Sequence, residues 1–236
     1  MISVCLASYN GEKYIKEQIE SILQQLCEND ELIISDDGSK DKTIEIIKSI
    51  NDDRIHLLHN NQGCYTKNFE NALSHAKGDY IFLSDQDDVW KPDKVNVTME
   101  AFRKSGADFL VSSATVVDKD KNVLLESTFD TGATKTGFWY NLLKTSYIGA
   151  CMAFRKRVLE RVLPIPGDDK YIAHDYWIAC ICERYYQTAL IDEPLILYRR
   201  HGDNTSPALG KSRLTVGERI YKRFYTLSYL YARRKV

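Results

Sequence analysis

FLSDQDDVW, Phe82–Trp90, sets three carboxylates and an amide directly after an apolar run that reads as a buried strand. Open parallel sheets bind ligands in the crevice beyond the carboxyl ends of their strands, so an acidic turn at that place marks a candidate site. Upstream, ISVCLAS, ELIIS and RIHLLHN read as three more strands, and DYIFLSD is the fourth. Ile15, Ile19, Ile22, Leu23 and Leu26 recur at helical spacing between the first two. SKDKTIEIIKSI, with Ser39 as candidate N-cap, and NFENALSHA supply two further helices. Strands alternating with helices predict an α/β fold, a sheet covered on both faces.

Downstream the pattern loosens. KPDKVNVTMEAFRKS is a helix with Pro92 near its first turn, ADFLVSSATVVD and NVLLEST read as strands, and FDTGATKTGF reads as a flexible loop. FWYNLLK, KRVLERVL and HDYWIACICERYY read as helices, IGACMAFR as an apolar stretch, and TALIDEPLILYRR as strand-like. The chain has 236 residues, 44% hydrophobic and 28% charged, enough for one sizeable core. Net charge is -1, but Lys211–Val236 carries +7 and residues 1–210 carry -8. An apolar strand at the very start predicts no secretory leader, and no apolar run approaches the ~18 residues of a membrane span. Six scattered cysteines without a Cys-x-x-Cys pair predict reduced, mostly buried thiols in a cytoplasmic protein.

The residues that follow the strands are Ser8, Tyr9, Asn10 and Glu12, then Asp36 and Asp37, then Asp85, Gln86, Asp87 and Asp88. No Gly-x-Gly-x-x-Gly and no Walker lysine occurs, which disfavours a dinucleotide or P-loop site. Carboxylates repel phosphate, so a site of this sign needs a divalent cation between them. Mg²⁺ and Mn²⁺ take oxygen ligands and commonly bridge carboxylates to substrate phosphates.

SYNGEKYIKEQIESILQQ, IISDDGSKDKT, NQGCYTKNFENAL, AKGDYIFLSDQDDVW and HDYW, in this order, resemble the inverting family-two glycosyltransferases of the GT-A fold across roughly residues 1–205. The resemblance implies a mixed, mostly parallel sheet flanked by helices, with 1–205 as the transferase domain; the spacing and charge of 206–236 predict a basic amphipathic helical tail. It assigns Ala7, Ser8, Tyr9, Asn10, Glu12 and Asp36 to the base and ribose of a nucleoside diphosphate sugar. A carboxylate at Asp36 suits the N3 hydrogen of uracil or thymine. Asp85, with Gln86 beside it, matches the first aspartate of the family's Asp-x-Asp, facing ribose or sugar, and Asp87 matches the metal-ligating second. Asp175 in AHDYW matches the general base, with helix capping as its alternative. His174 stands where the family often has Glu.

His201 in YRRHGDNTS resembles a histidine that joins the metal shell or the diphosphate, and Arg199 is expected to offset leaving-group charge. Gly149 and Ala150 match a segment beneath the acceptor, and Trp177 is a candidate acceptor contact, although each tryptophan is read more readily as core. The Gln-x-x-Arg-Trp signature of processive synthases is missing, which favours addition of a single sugar. SDQDDVW, HDYW and YRRHGDN look most like rhamnosyltransferases, implying dTDP-L-rhamnose as donor and a lipid-linked bacterial surface glycan as acceptor. UDP-hexoses and UDP-N-acetylhexosamines stay open, as does a non-catalytic nucleotide- or glycan-binding module. Ile220, Phe224, Leu227 and Tyr231 fall at helical spacing among basic residues, a pattern that suits an anionic membrane surface; packing on the domain itself or on a second subunit is the alternative. Nucleic acid is disfavoured by the acidic crevice.

Overall fold

The computed structural model describes residues 1–167, 171–201 and 215–233. The first half alternates β1 (Ile2–Ser8), α1 (Ile15–Leu23), β2 (Glu31–Asp36), α2 (Thr43–Ser49), β3 (Ile55–His59), α3 (Tyr65–His75) and β4 (Tyr80–Asp85). A two-residue strand β5 (Val89–Trp90), helix α4 (Lys94–Ser105), the long β6 (Phe109–Val117) and short β7 (Val123–Leu125) follow. After α5 (Phe138–Lys144) come β8 (Met152–Arg155), α6 (Leu159–Val162), α7 (His174–Tyr185), β9 (Thr188–Arg199) and α8 (Val216–Ala232).

The main path of the sheet runs β3-β2-β1-β4-β8-β6-β9-β5, with β7 added on β6. β3, β2, β1 and β4 are mutually parallel, β8 is antiparallel to both β4 and β6, and β9 runs parallel to β6. The sheet is therefore mixed, as expected. β1 and β2 are almost wholly buried because helices cover both faces, which is why they read as continuous apolar runs instead of alternating ones. Each fully buried Ile or Leu there contributes about 1.5–3 kcal/mol. Ile15, Ile19 and Ile22 form the inner face of α1, and the buried polar Gln18 shares it.

Several local expectations differ. Ser39 does not cap α2, which begins only at Thr43; its hydroxyl donates to Asp36 instead. Asp175 is not the cap of α7 either, since the helix starts at His174 with Ala173 preceding it. The start of FDTGATKTGF, expected as a flexible loop, belongs to a short 3₁₀ turn at Thr128–Thr131. Cys27 is exposed, while Cys5, Cys151, Cys180 and Cys182 are buried. Among the described residues no helix is long and apolar enough to cross a membrane.

α8 opens with a capping box in which Thr215 and Glu218 satisfy each other's backbone amides. It docks with the less apolar of its faces. Thr226 and Leu230 are buried, the Tyr185 hydroxyl donates to Leu230 O at 2.8 Å, and Arg233 donates to the carbonyls of Leu163 and Pro164. Of the stripe that sequence periodicity singles out, Ile220, Phe224 and Tyr231 point to solvent, Phe224 at 69% exposure, whereas Leu227 is half-buried against the core. Residues 206–214 and 234–236 of the expected tail lie outside the described residues.

Candidate active site

Parallel register carries the ends of β1, β2 and β4 to one edge, where Ser8 pairs with Asp36 and Ala7 with Asp85. The turns that follow are stitched together. Asn10 takes a left-handed backbone (φ 49°); its amide donates to Ser39 Oγ at 2.9 Å and its Oδ1 accepts from Lys40 N at 2.8 Å. Glu12 accepts from Lys42 N at 3.0 Å. Gln86 clamps Tyr9 on both sides, accepting from its amide and donating to its carbonyl, each at 2.9 Å. Gly11 leaves room for that clamp: a Cβ there would meet Gln86 Oε1 at 2.3 Å.

Asp36 departs from its expected role. Its carboxylate is fully buried and accepts from Ser8 Oγ, Gly38 N, Ser39 N and Ser39 Oγ at 2.6–3.1 Å. Four donors occupy the roughly four acceptor sites of a carboxylate, so none is left for a base edge. In this arrangement Asp36 builds the turn. Asp37 likewise accepts from Asn60 Nδ2 and from the amides of Gln62, Gly63 and Cys64, fastening the segment that leads into α3. Of the expected nucleotide contacts, Tyr9 (54% exposed), Asn10 and Glu12 are exposed, Ala7, Asp85 and Gln86 are half-buried, and Ser8 and Asp36 are buried.

The turn after β4 gathers the charge. Burial, then the charges of Asp87 and Asp175, push the Asp85 carboxyl up to about 7. Burial also drives Asp88 well above the carboxylate range, helped by Asp87 and Asp85; its Oδ1 accepts from Arg199 N at 3.0 Å. Beneath it lies buried Lys94, lowered to about 8 by desolvation, donating to Ala150 O at 2.9 Å. Asp87 Oδ2 and His201 Nε2 lie 2.8 Å apart, and the His201 ring stacks on Tyr14 with centroids 5.1 Å apart.

Arg199, expected at the diphosphate, is turned inward at 4% side-chain exposure. It pairs with Glu17 at 2.6 Å, donates through Nε to Asp87 O at 2.8 Å and through Nη1 to Lys119 O at 3.1 Å. It therefore braces the acidic turn from behind. Trp177 is also corrected: it is fully buried and its indole donates to Val162 O at 2.9 Å, so it offers no face to an acceptor. Trp90 is core as well, whereas Trp139 is exposed.

Asp175 occupies the second position of α7, with Oδ1 accepting from Tyr176 N at 2.6 Å. Its charge is one of the causes that raise Asp85. The 3₁₀ turn Gly149–Cys151 packs against it, and glycine is required there. A Cβ on Gly149 would sit 2.9 Å from His174 Nε2 and 3.4 Å from Asp175 Cβ, and the His174 ring is pinned by stacking on Phe69.

Sequence reasoning missed the supports on α1. Gln18 donates to Ser84 Oγ at 2.7 Å and to Asp85 O at 3.0 Å, and Glu17 anchors Arg199. The one available signal was a glutamine at a core position of an isoleucine-faced helix.

Residues 3–163 match the family model "Glycosyl transferase family 2". The chain belongs to that family. This family-2 chain is 30% identical over 216 residues to an uncharacterized glycosyltransferase of Nostoc sp., covering 86% of the chain but 66% of that protein. It is 36% identical over 121 residues, 51% of the chain and 48% of the relative, to the Escherichia coli UDP-Glc:alpha-D-GlcNAc-diphosphoundecaprenol beta-1,3-glucosyltransferase WfaP. The chain thus spans about half to two thirds of the length of these curated relatives. Residues 1–349 of Staphylococcus aureus TarS in complex with UDP-GlcNAc share the fold of the family-2 chain at TM-score 0.69 and 17% identity, over 98% of this chain and 72% of that one.

Proposed function

We propose that this chain catalyses inverting transfer of one sugar from a pyrimidine nucleoside diphosphate donor to a hydroxyl of a lipid-linked bacterial surface-glycan intermediate. The observation that carries this reading is the nearness of two carboxylate settings: the Asp85-Asp87 turn at the end of β4 and Asp175 at the start of α7, joined by the Gly149–Cys151 turn, which packs on β4 and touches Asp175. Asp175 accepts the proton of the acceptor hydroxyl as its oxygen attacks the anomeric carbon. The bond from that carbon to the phosphate oxygen breaks, and the nucleoside diphosphate leaves with its electron pair. One displacement inverts the anomeric centre.

The donor set suits Mg²⁺ or Mn²⁺. Among the described residues no cluster of three or more His, Cys, Asp or Glu forms a complete metal site, but Asp87 and His201 converge at 2.8 Å beside excess negative charge. One carboxylate and one imidazole would hold such an ion and leave further positions for diphosphate oxygens. When bound, the metal supplies positive charge to the leaving group. WfaP, by its name a UDP-Glc enzyme acting on a diphosphoundecaprenol acceptor, supports a UDP-hexose and a lipid-linked acceptor. The motif resemblance favours dTDP-L-rhamnose. Calorimetric titration with UDP- and dTDP-sugars, each with Mn²⁺ and with chelator, is expected to show metal-dependent binding of one of them. No binding across the panel by folded protein would replace the transferase reading with that of a non-catalytic module.

The outward stripe of α8 suits a peripheral position at the inner face of the cell membrane. Val216, Ile220, Phe224 and Tyr231 are exposed beside Arg219, and α5, tied to α8 by Arg223 donating to Leu143 O, adds exposed Trp139 and Leu143. Apolar insertion with flanking cations favours anionic lipid. Cosedimentation with phosphatidylglycerol vesicles should exceed that with phosphatidylcholine, and Ile220→Asp with Phe224→Asp should weaken it by at least ~10-fold, at about 0.8 kcal/mol per buried methylene lost. Equal binding by the double variant would move this face to a protein partner.

A further inference from the structure

The backbone pairing of β1 with β4 ends at Ala7 and Asp85. Beyond it, the next connection between the two chain segments is made by a side chain. Gln86 Oε1 accepts from Tyr9 N and Gln86 Nε2 donates to Tyr9 O, each at 2.9 Å, so one carboxamide offers Tyr9 an acceptor and a donor as a neighbouring strand would. Few side chains can do this. An ionised glutamate accepts but cannot donate, and asparagine is one methylene shorter. Gly11 shows the same fit from the other side: the three atoms nearest to a Cβ added there are Oε1, Cδ and Nε2 of Gln86, the farthest of them at 3.3 Å.

Each end of this tie has supports of its own. Asn10 is bound to Ser39 and Lys40, Gly11 N donates to Thr43 Oγ1 at 2.7 Å, and Glu12 N donates to Asp41 Oδ2 at 3.0 Å, so the segment after Tyr9 rests on the turn between β2 and α2. On the acidic side, Asp85 O accepts from Gln18 Nε2 and Asp87 O accepts from Arg199 Nε. Gln86 stands between Asp85 and Asp87 in the chain, so its side chain holds Tyr9 while its backbone is part of the acidic turn. The clamp therefore joins two segments that each keep their own hydrogen bonds without it.

We propose that Gln86 is a positioning residue that holds the Tyr9–Glu12 segment at a fixed spacing from Asp87, so that the nucleoside and diphosphate ends of one donor are bound as a unit. The inference rests on the reading of these two places as the nucleoside end and the metal end of the donor site, and the experiment separates the two. A ligand that spans both places gains from their fixed spacing; a ligand that uses one gains nothing. The Kd of UDP and of dTDP is measured by calorimetry, in Mn²⁺ and in chelator, for the full chain and for Gln86→Ala, Gly11→Ala, both together, and Asp87→Ala. In Gln86→Ala the ratio of the chelator Kd to the Mn²⁺ Kd is expected to fall by about 10-fold, the scale of one or two ordinary hydrogen bonds. The Kd in chelator should stay within roughly twofold, because Asn10, Gly11 and Glu12 keep their own partners. Gly11→Ala pushes the carboxamide aside and should lower the ratio as far, and in the Gln86→Ala background it should cost nothing further. Gln86→Met, which keeps the bulk and loses both bonds, replaces Gln86→Ala if the alanine variant does not fold.

An unchanged ratio in Gln86→Ala overturns the role of Gln86. Equal weakening in Mn²⁺ and in chelator overturns it too, since Gln86 would then support the Tyr9 segment alone, and so does a Gly11→Ala loss that persists in the Gln86→Ala background. If the unaltered chain shows no response to Mn²⁺, or Asp87→Ala keeps that response, the metal reading falls and this inference falls with it. A response lost in Asp87→Ala beside an unmoved ratio in Gln86→Ala removes the role of Gln86 alone.

Discussion

Asp175→Asn will lower kcat by about 10²–10⁴-fold, the range contributed by a positioned general base, while donor affinity stays within roughly twofold. Asparagine preserves the shape of the side chain and the oxygen that accepts from Tyr176 N, so the start of α7 is not disturbed. What disappears is the second oxygen's capacity to take a proton. Initial rates against acceptor concentration, with donor Kd from calorimetry, decide the matter. Turnover near that of the unaltered chain would mean that the proton leaves by another route and that Asp175 is only part of the helix terminus.

Asp87→Ala should reduce donor affinity in Mn²⁺ to the value found in chelator, a loss of at least ~100-fold, comparable to the upper range for disturbing a metal ligand's surroundings. The substitution removes the carboxylate and its contact with His201 but spares the backbone of the turn. The position of the turn is fixed by Arg199, which donates to Asp87 O and whose own amide donates to Asp88, and neither contact uses the Asp87 side chain. The alanine variant therefore keeps its turn and loses a ligand. Donor binding that still responds to Mn²⁺ in this variant would remove Asp87 from the metal site and leave the ion to Asp85 and His201.

The strands of the first half were readable because helices cover both sides of β1 and β2, so burial makes every position apolar and leaves no ambiguity of phase. Placement of Asp85 and Asp87 directly after β4, and of Asp175 at the start of α7, followed from strand order and motif. What stayed hidden was the use to which each polar atom is put. Asp36 looks like a recognition residue in a linear string, yet its oxygens are consumed by Ser8, Gly38 and Ser39, and only coordinates reveal that occupancy. Arg199 reads as a surface cation but is drawn inward by Glu17, a partner 182 positions away that no local pattern announces. Periodicity likewise found the apolar stripe of α8 but not its direction. Tyr185, Arg161 and the 163–164 carbonyls offer hydrogen bonds to the opposite side, and those contacts set how the helix lies.

β9 leaves register with β6 after Ile191, which faces Ser112, and resumes with Pro194 opposite Ser113, so Asp192 and Glu193 are extruded before the strand continues to its pairing with β5. Successive side chains of a strand alternate between faces, and one residue more or fewer exchanges the two sets. The extruded pair therefore acts as a metering device. Together with a further one-residue slip between Ser113 and Thr115, its length fixes the phase in which the strand arrives at the acidic turn, with Arg199 behind Asp87 and His201 at its carboxylate. The surroundings of Asp87 are thus set by a count of residues in the middle of the same strand.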